Sequence, residues 1–195
     1  MGITASPAKV HWNYFLALER DAEKLSRYVE FCAPNYPTYS IEIAHLLFAA
    51  ASEVDVVAKL LCELSAPAAP RANINDYKAA LLPVITELPN AEVFIPRYGL
   101  SFKPWSNWSG VQNPLWWRSY NNVKHKRDAH FEQATLKNAL NALGALLVLT
   151  VHYYARKLAA QPNQILAPKQ TTRELEPTST LLRLRDDHYY DHLIG

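Results

Sequence analysis

An all-α protein is what the sequence predicts: a bundle of four to five main helices with an irregular aromatic-rich loop and a C-terminal extension. Three observations point there. Apolar residues recur at steps of three and four through several long stretches, no segment alternates apolar and polar residues over a useful strand length, and prolines fall mostly between the periodic stretches. At 195 residues and 49% hydrophobic content, the chain is long enough to bury a substantial core as one domain, or as one domain with a tail.

Residues 9–32 place Trp12, Phe15, Leu16, Ala22, Leu25 and Val29 on one helical face, with Glu19, Asp21, Glu23 and Lys24 between them. Pro34 and Pro37 stop this helix, after which Thr38 or Ser40 can cap a second, with Glu42 in its first turn. The second helix, 40–64, is apolar on most sides and is expected to be the central, buried one. It carries His45, Glu53, Asp55 and Lys59. Asp55 and Lys59 make an i, i+4 pair, whereas Glu53 is left to hydrogen-bond a functional side chain from another helix or to sit on a solvated rim.

Pro67 and Pro70 mark a linker, and a third helix is expected over 75–88, bent at Pro83. Over 89–113, Pro96, Gly99, Pro104 and Gly110 forbid a long regular element. Phe94, Tyr98, Phe102, Trp105 and Trp108 make the same stretch too aromatic for a free linker, so its rings either plug the end of the bundle or stack on unpaired bases. Residues 134–160 carry Leu136, Leu140, Leu143, Leu147, Val151, Tyr154 and Leu158 at alternating steps of four and three. Gly144 and Ala145 there are small enough for a close neighbour, which fits the last core helix or a helix shared with a second copy. These elements make up a helical domain over 1–160. Pro162, Pro168 and Pro177 break 161–179 into an extended tail, and 180–195 closes the chain with a short helix expected to dock on the body.

A formal charge of +2 is too small for a general nucleic-acid coat, so polyanion binding must come from local clusters. Cys32 and Cys62 are isolated within apolar patterns, as buried free thiols of a reducing compartment would be. No secretory signal pattern and no run of 18 apolar residues is present, so a cytoplasmic protein with no membrane association is expected. Five glycines form no phosphate loop, and no cofactor motif occurs.

Residues 113–127 concentrate the functional side chains. Helix opening at Pro114 suits a residue without an N–H. Arg118 and His125 are seven steps apart, about 20° short of two turns, and so share one face roughly 10.5 Å apart along the axis. A guanidinium clamp for phosphate and an imidazole for proton transfer thus lie on one helix. Asn121, Lys124 and His125 make a second cluster, and Lys126 and Arg127 extend the positive charge.

Arg118 followed by six residues and His125, in a helical chain of this size, resembles the Arg-x4-6-His motif of the HEPN superfamily, the higher eukaryote and prokaryote nucleotide-binding domains. Arg183/His188 and Arg185/His192 also fit the spacing, but only the first pair follows three expected helices, precedes the last long one and is flanked by cations. Ser119 stands where active members often carry Asn, Asp or His. The resemblance covers the helical body from about residue 9 to 160 and implies an HEPN-like up-and-down bundle. It further implies a metal-independent endoribonuclease of a toxin–antitoxin or phage-defence system, with its site formed across a homodimer. Arg118 and His125 would then be catalytic, Tyr120 or Asn121 would position the sugar, and Lys124, Lys126 and Arg127 would follow the RNA backbone. Glu53 would orient Arg118 or His125, and an antitoxin or other partner protein would regulate the whole. The alternative is a catalytically inactive helical module that binds a protein or nucleotide through the same cleft.

A rival constellation lies at the end of the chain, where Asp186, Asp187, His188, Asp191 and His192 include an His-x3-His pair of metal-ligand spacing. It lacks the glutamate of the zinc-protease arrangement, and a terminus excludes water poorly. The site is therefore expected to need no metal.

Overall fold

The computed structural model describes residues 8–161 and 164–190. Seven α-helices among them carry the architecture: α1 (Val10–Leu25), α2 (Ile41–Ser65), α3 (Ile74–Leu81), α4 (Leu115–His125), α5 (Arg127–His130), α6 (Leu136–Lys157) and α7 (Pro168–Glu174). Two three-residue strands, β1 (Val93–Ile95) and β2 (Leu100–Phe102), pair antiparallel with Phe94 opposite Ser101. The all-α expectation holds at this level. The small ribbon is an addition, too short for an alternating pattern to announce it.

Local chemistry sets several boundaries. Ser40 caps α2 by accepting the Ile43 N–H at 3.2 Å, and Thr135 caps α6 by accepting that of Asn138 at 3.3 Å. Helix α3 ends at Leu81, so Pro83 terminates it rather than bending it. The Asp55–Lys59 pair forms on α2, and Asp55 also accepts the Tyr77 hydroxyl at 2.7 Å.

The central helix is α6, not α2. Every residue from 142 to 151 is buried, so α6 is enclosed on all sides by its own chain and is not a helix shared with a second copy. Helix α2 packs along it but keeps an exposed stripe through Glu42, His45, Ser52, Val56 and Glu63. The small residue at Gly144 admits an aromatic ring instead of another helix: a Cβ there would come 2.6 Å from Cε2 of Phe102.

The segment expected as an extended tail belongs to the same core. It contains α7, and Leu175, Leu181, Leu182 and Leu184 are buried with the leucines of the bundle. Phe94 and Arg183 exchange both backbone hydrogen bonds at 2.8 Å, which lays the strap beside β1. Glu19, placed by its spacing among solvent-facing charges of α1, is only 1% exposed. Its carboxylate accepts the Ser179 hydroxyl and the backbone N–H groups of Thr180, Leu181 and Leu182 at 2.5–3.1 Å. A buried carboxylate is tolerable because those four donors replace its hydration.

Candidate functional site

Helix α4 is amphipathic in a way that decides which of its residues meet solvent. Trp116, Trp117, Tyr120 and Val123 face the core, and Arg118, Asn122, Lys124 and His125 face outward. The buried face continues a file of rings. Trp105 stacks obliquely on Trp108 at 4.3 Å and meets Trp116 edge-on at 5.4 Å; Trp117 lies 5.6 Å from Tyr120, which reaches Phe48 of α2 at 5.9 Å. The Trp116 indole N–H donates to the Pro104 carbonyl at 2.8 Å, tying the loop to α4. Trp105 and Trp108 are 0% and 2% exposed, so these rings plug the bundle and cannot stack bases.

Tyr120 shares that fate. At 8% exposure its ring is a wall of the core, which removes it from the surface where a sugar would sit. Glu53 also departs from expectation. Its Oε1 accepts the Nδ1–H of His11 at 2.6 Å, between α1 and α2, and the His11 ring stands edge-on to Tyr153 at 5.4 Å. The carboxylate is thus paired with a histidine of α1 and does not orient Arg118 or His125. Neither expected role, orienting Arg118 or His125 or sitting on a solvated rim, is the one the fold gives Glu53.

Arg118 borders an open depression of about 540 Å³ together with Ile74, Asn113, Leu115, Trp117, Ser119, Asn121, Asn122 and Gln133. Among the described residues no carboxylate lines it, and the guanidinium is the one formal charge there. Asn121 lies on its wall, with its amide nitrogen donating to the Trp117 carbonyl at 2.9 Å. His125 is exposed two turns further along α4 and is not part of the lining. Beyond it, Lys124 lies over the Tyr120 ring at 5.4 Å and Arg127 over Phe131 at 5.0 Å, while Lys126 is exposed at the end of the helix.

The motif marks Ser119 as the residue after Arg118, but nothing in it marks Asn113, Asn122 or Gln133. Asn122 stands one turn after Arg118, which i, i+4 reasoning could have found. Gln133 belongs to a different turn, and its place beside Arg118 follows only from the fold.

The terminal constellation is split. His188 lines a separate small pocket with His152, and Asp191 and His192 lie outside the described residues. Among the described residues no group of three or more His, Cys, Asp or Glu is placed to hold a metal ion, and no helix is long and apolar enough to cross a membrane. Comparison with known proteins finds no matching family model, no matching curated protein and no matching solved structure.

Proposed function

We propose that the chain is a metal-independent endoribonuclease of the HEPN type, with an HEPN-like up-and-down body, acting as a cytoplasmic homodimer in a toxin–antitoxin or phage-defence setting. The observation that carries this reading is the exposure of Arg118 and His125 on α4, with Arg118 at the edge of a depression that, among the described residues, no carboxylate lines. A phosphodiester can approach such a guanidinium without meeting negative charge.

In the reaction, the ribose 2′-oxygen bonds to phosphorus while the bond to the 5′-oxygen breaks. One proton leaves the 2′-hydroxyl and another arrives on the 5′-oxygen. His125 of one copy accepts the first, His125 of the other copy supplies the second, and Arg118 steadies the non-bridging oxygens. Lys124, Lys126 and Arg127 add sequence-independent attraction for the backbone.

A second reading, binding without catalysis, is favoured by the position of His125 outside the depression that Arg118 borders. One assay separates the two. Purified protein is expected to cleave single-stranded RNA in the presence of a chelator, and Arg118→Ala and His125→Ala each to abolish cleavage with unchanged far-UV circular dichroism, since both side chains are exposed. Absence of cleavage by the wild type, or cleavage that requires added divalent metal, overturns the ribonuclease reading.

A further inference from the structure

The depression beside Arg118 has a composition of its own. Asn113, Asn121, Asn122 and Gln133 bring four carboxamides to its lining, and these are held in place by hydrogen bonds rather than left to rotate. The Asn113 amide donates to Asn75 Oδ1 at 3.0 Å. The Asn122 amide donates to Gln133 Oε1 at 3.0 Å, and the Gln133 amide in turn reaches His130 Nδ1 at 3.3 Å. The Gln133 backbone carbonyl is fixed as well, by the Asn138 amide at 2.9 Å. Asn113 Oδ1 is buried without a hydrogen-bond partner among the described residues.

Each of these groups matches one part of a nucleotide. Carboxamides offer a donor and an acceptor side by side, the pattern that pairs with the edge of a nucleobase, and they discriminate by hydrogen bonding without adding charge. Trp117 faces the core and is only 9% exposed where it borders the lining, so recognition of a base there falls to hydrogen bonding rather than to stacking. Arg118 supplies the one cation, suited to the phosphate. The volume of about 540 Å³ falls in the range of small-molecule sites.

From this arrangement we infer that the depression is a nucleobase-reading subsite, in which Asn122 and Gln133 contact the base edge while Arg118 holds the adjoining phosphate. The inference rests on the phosphate-binding role given to Arg118 above and adds base discrimination to it. Asn122 and Gln133 are specificity residues in this scheme, and neither takes part in proton transfer.

The test is direct binding, independent of cleavage. Trp117 is 9% exposed, while Trp12, Trp105, Trp108 and Trp116 are 0–3% exposed, so tryptophan fluorescence quenching reports chiefly on this site. The four nucleoside 5′-monophosphates are titrated against ribose 5-phosphate. At least one nucleotide is expected to bind about tenfold or more tightly than ribose 5-phosphate, as two modest hydrogen bonds would give. Gln133→Ala should remove that advantage and leave ribose 5-phosphate binding unchanged, and the neutral Gln133→Met should do the same with most of the side-chain volume retained. Arg118→Ala should weaken all the compounds. Less than a tenfold advantage for every base, no saturable quenching by any compound, or equal weakening of ribose 5-phosphate by the Gln133 variants overturns the inference. RNA cleavage with base-indifferent binding would sink this subsite and leave the ribonuclease standing; base-dependent binding without cleavage would do the reverse.

Discussion

Oε1 of Glu19 accepts the backbone N–H of Leu182 at 2.9 Å, joining α1 to a segment 163 residues later in the chain. The same oxygen takes the Leu181 N–H and the Ser179 hydroxyl, and Oε2 takes the Thr180 N–H. Glu19→Ala strands the Leu181 and Leu182 amides in a buried setting and frees that of Thr180 at its edge. An expected loss of about 3–5 kcal/mol follows from several charge-assisted hydrogen bonds lost together. The strap should then open to trypsin at Arg183 and Arg185, so limited proteolysis ahead of global unfolding is the check. Glu19→Gln keeps one acceptor oxygen but turns an amide toward a donor, and it should fall between Ala and wild type. Equal proteolysis of all three would show that the leucines alone hold the strap.

At Gly144 the helix and the ribbon compete for the same space. A Cβ would stand 2.6 Å from Cε2 and 3.2 Å from Cζ of Phe102, and 3.4 Å from Cγ1 of Val93. Gly144→Ala gains about 1 kcal/mol of helix propensity but incurs about 1–3 kcal/mol of overpacking, so net destabilisation is expected. Phe102→Ala in the same chain removes the obstruction. The double variant should therefore be more stable than the sum of the two single changes, as read from urea midpoints in a double-mutant cycle. Simple additivity would mean that the Phe102 ring turns aside without cost.

These two sites also show what periodicity can and cannot reveal. Spacing exposed the features that close within a few residues: the Ser40 cap, the Asp55–Lys59 pair and the periodicity of α6. It could not distinguish a charge facing water from one meeting a distant strap, and Glu19 looks like Asp21 and Glu23 until residues 179–182 arrive. For the same reason spacing could name no partner for Glu53, since His11 lies 42 residues away. In the candidate site, the outward positions of Arg118 and His125 followed from helix geometry. The wall that Gln133 completes did not, because it depends on the turn after α5.

The two cysteines should behave differently toward thiol reagents. Cys62 is buried on α2, and desolvation pushes its thiol up to about 11, with Arg71 opposing and Asp76 adding to the shift. Cys32 lies outside the helices, in the connection after α1, and is half-buried. Since the thiolate is the reactive form, native protein at neutral pH is expected to titrate one thiol per chain quickly, and two after denaturation. Cys32→Ser should abolish the fast phase. Two fast thiols in native protein would mean that α2 opens readily around Cys62.

Acid should loosen the structure through His152. The ring lines a pocket of about 180 Å³ between α6, the Glu87–Glu92 turn and the strap residues Arg185, Asp187 and His188. Burial pushes its pKa down to about 3, and Arg156 and His188 act in the same direction. His188 is lowered as well, first by burial and against the pull of Asp187. The folded protein thus keeps an imidazole neutral that the unfolded chain protonates near about 6.5. Between those values the unfolded state binds the extra proton, so stability is full above about pH 6.5 and falls as pH drops toward 3. For His152 alone the slope is at most about 1.4 kcal/mol per pH unit. His152→Leu should flatten the acid limb of a plot of urea midpoint against pH while leaving the neutral region in place. An acid limb of unchanged slope would assign the loss to His188 or to the carboxylates instead.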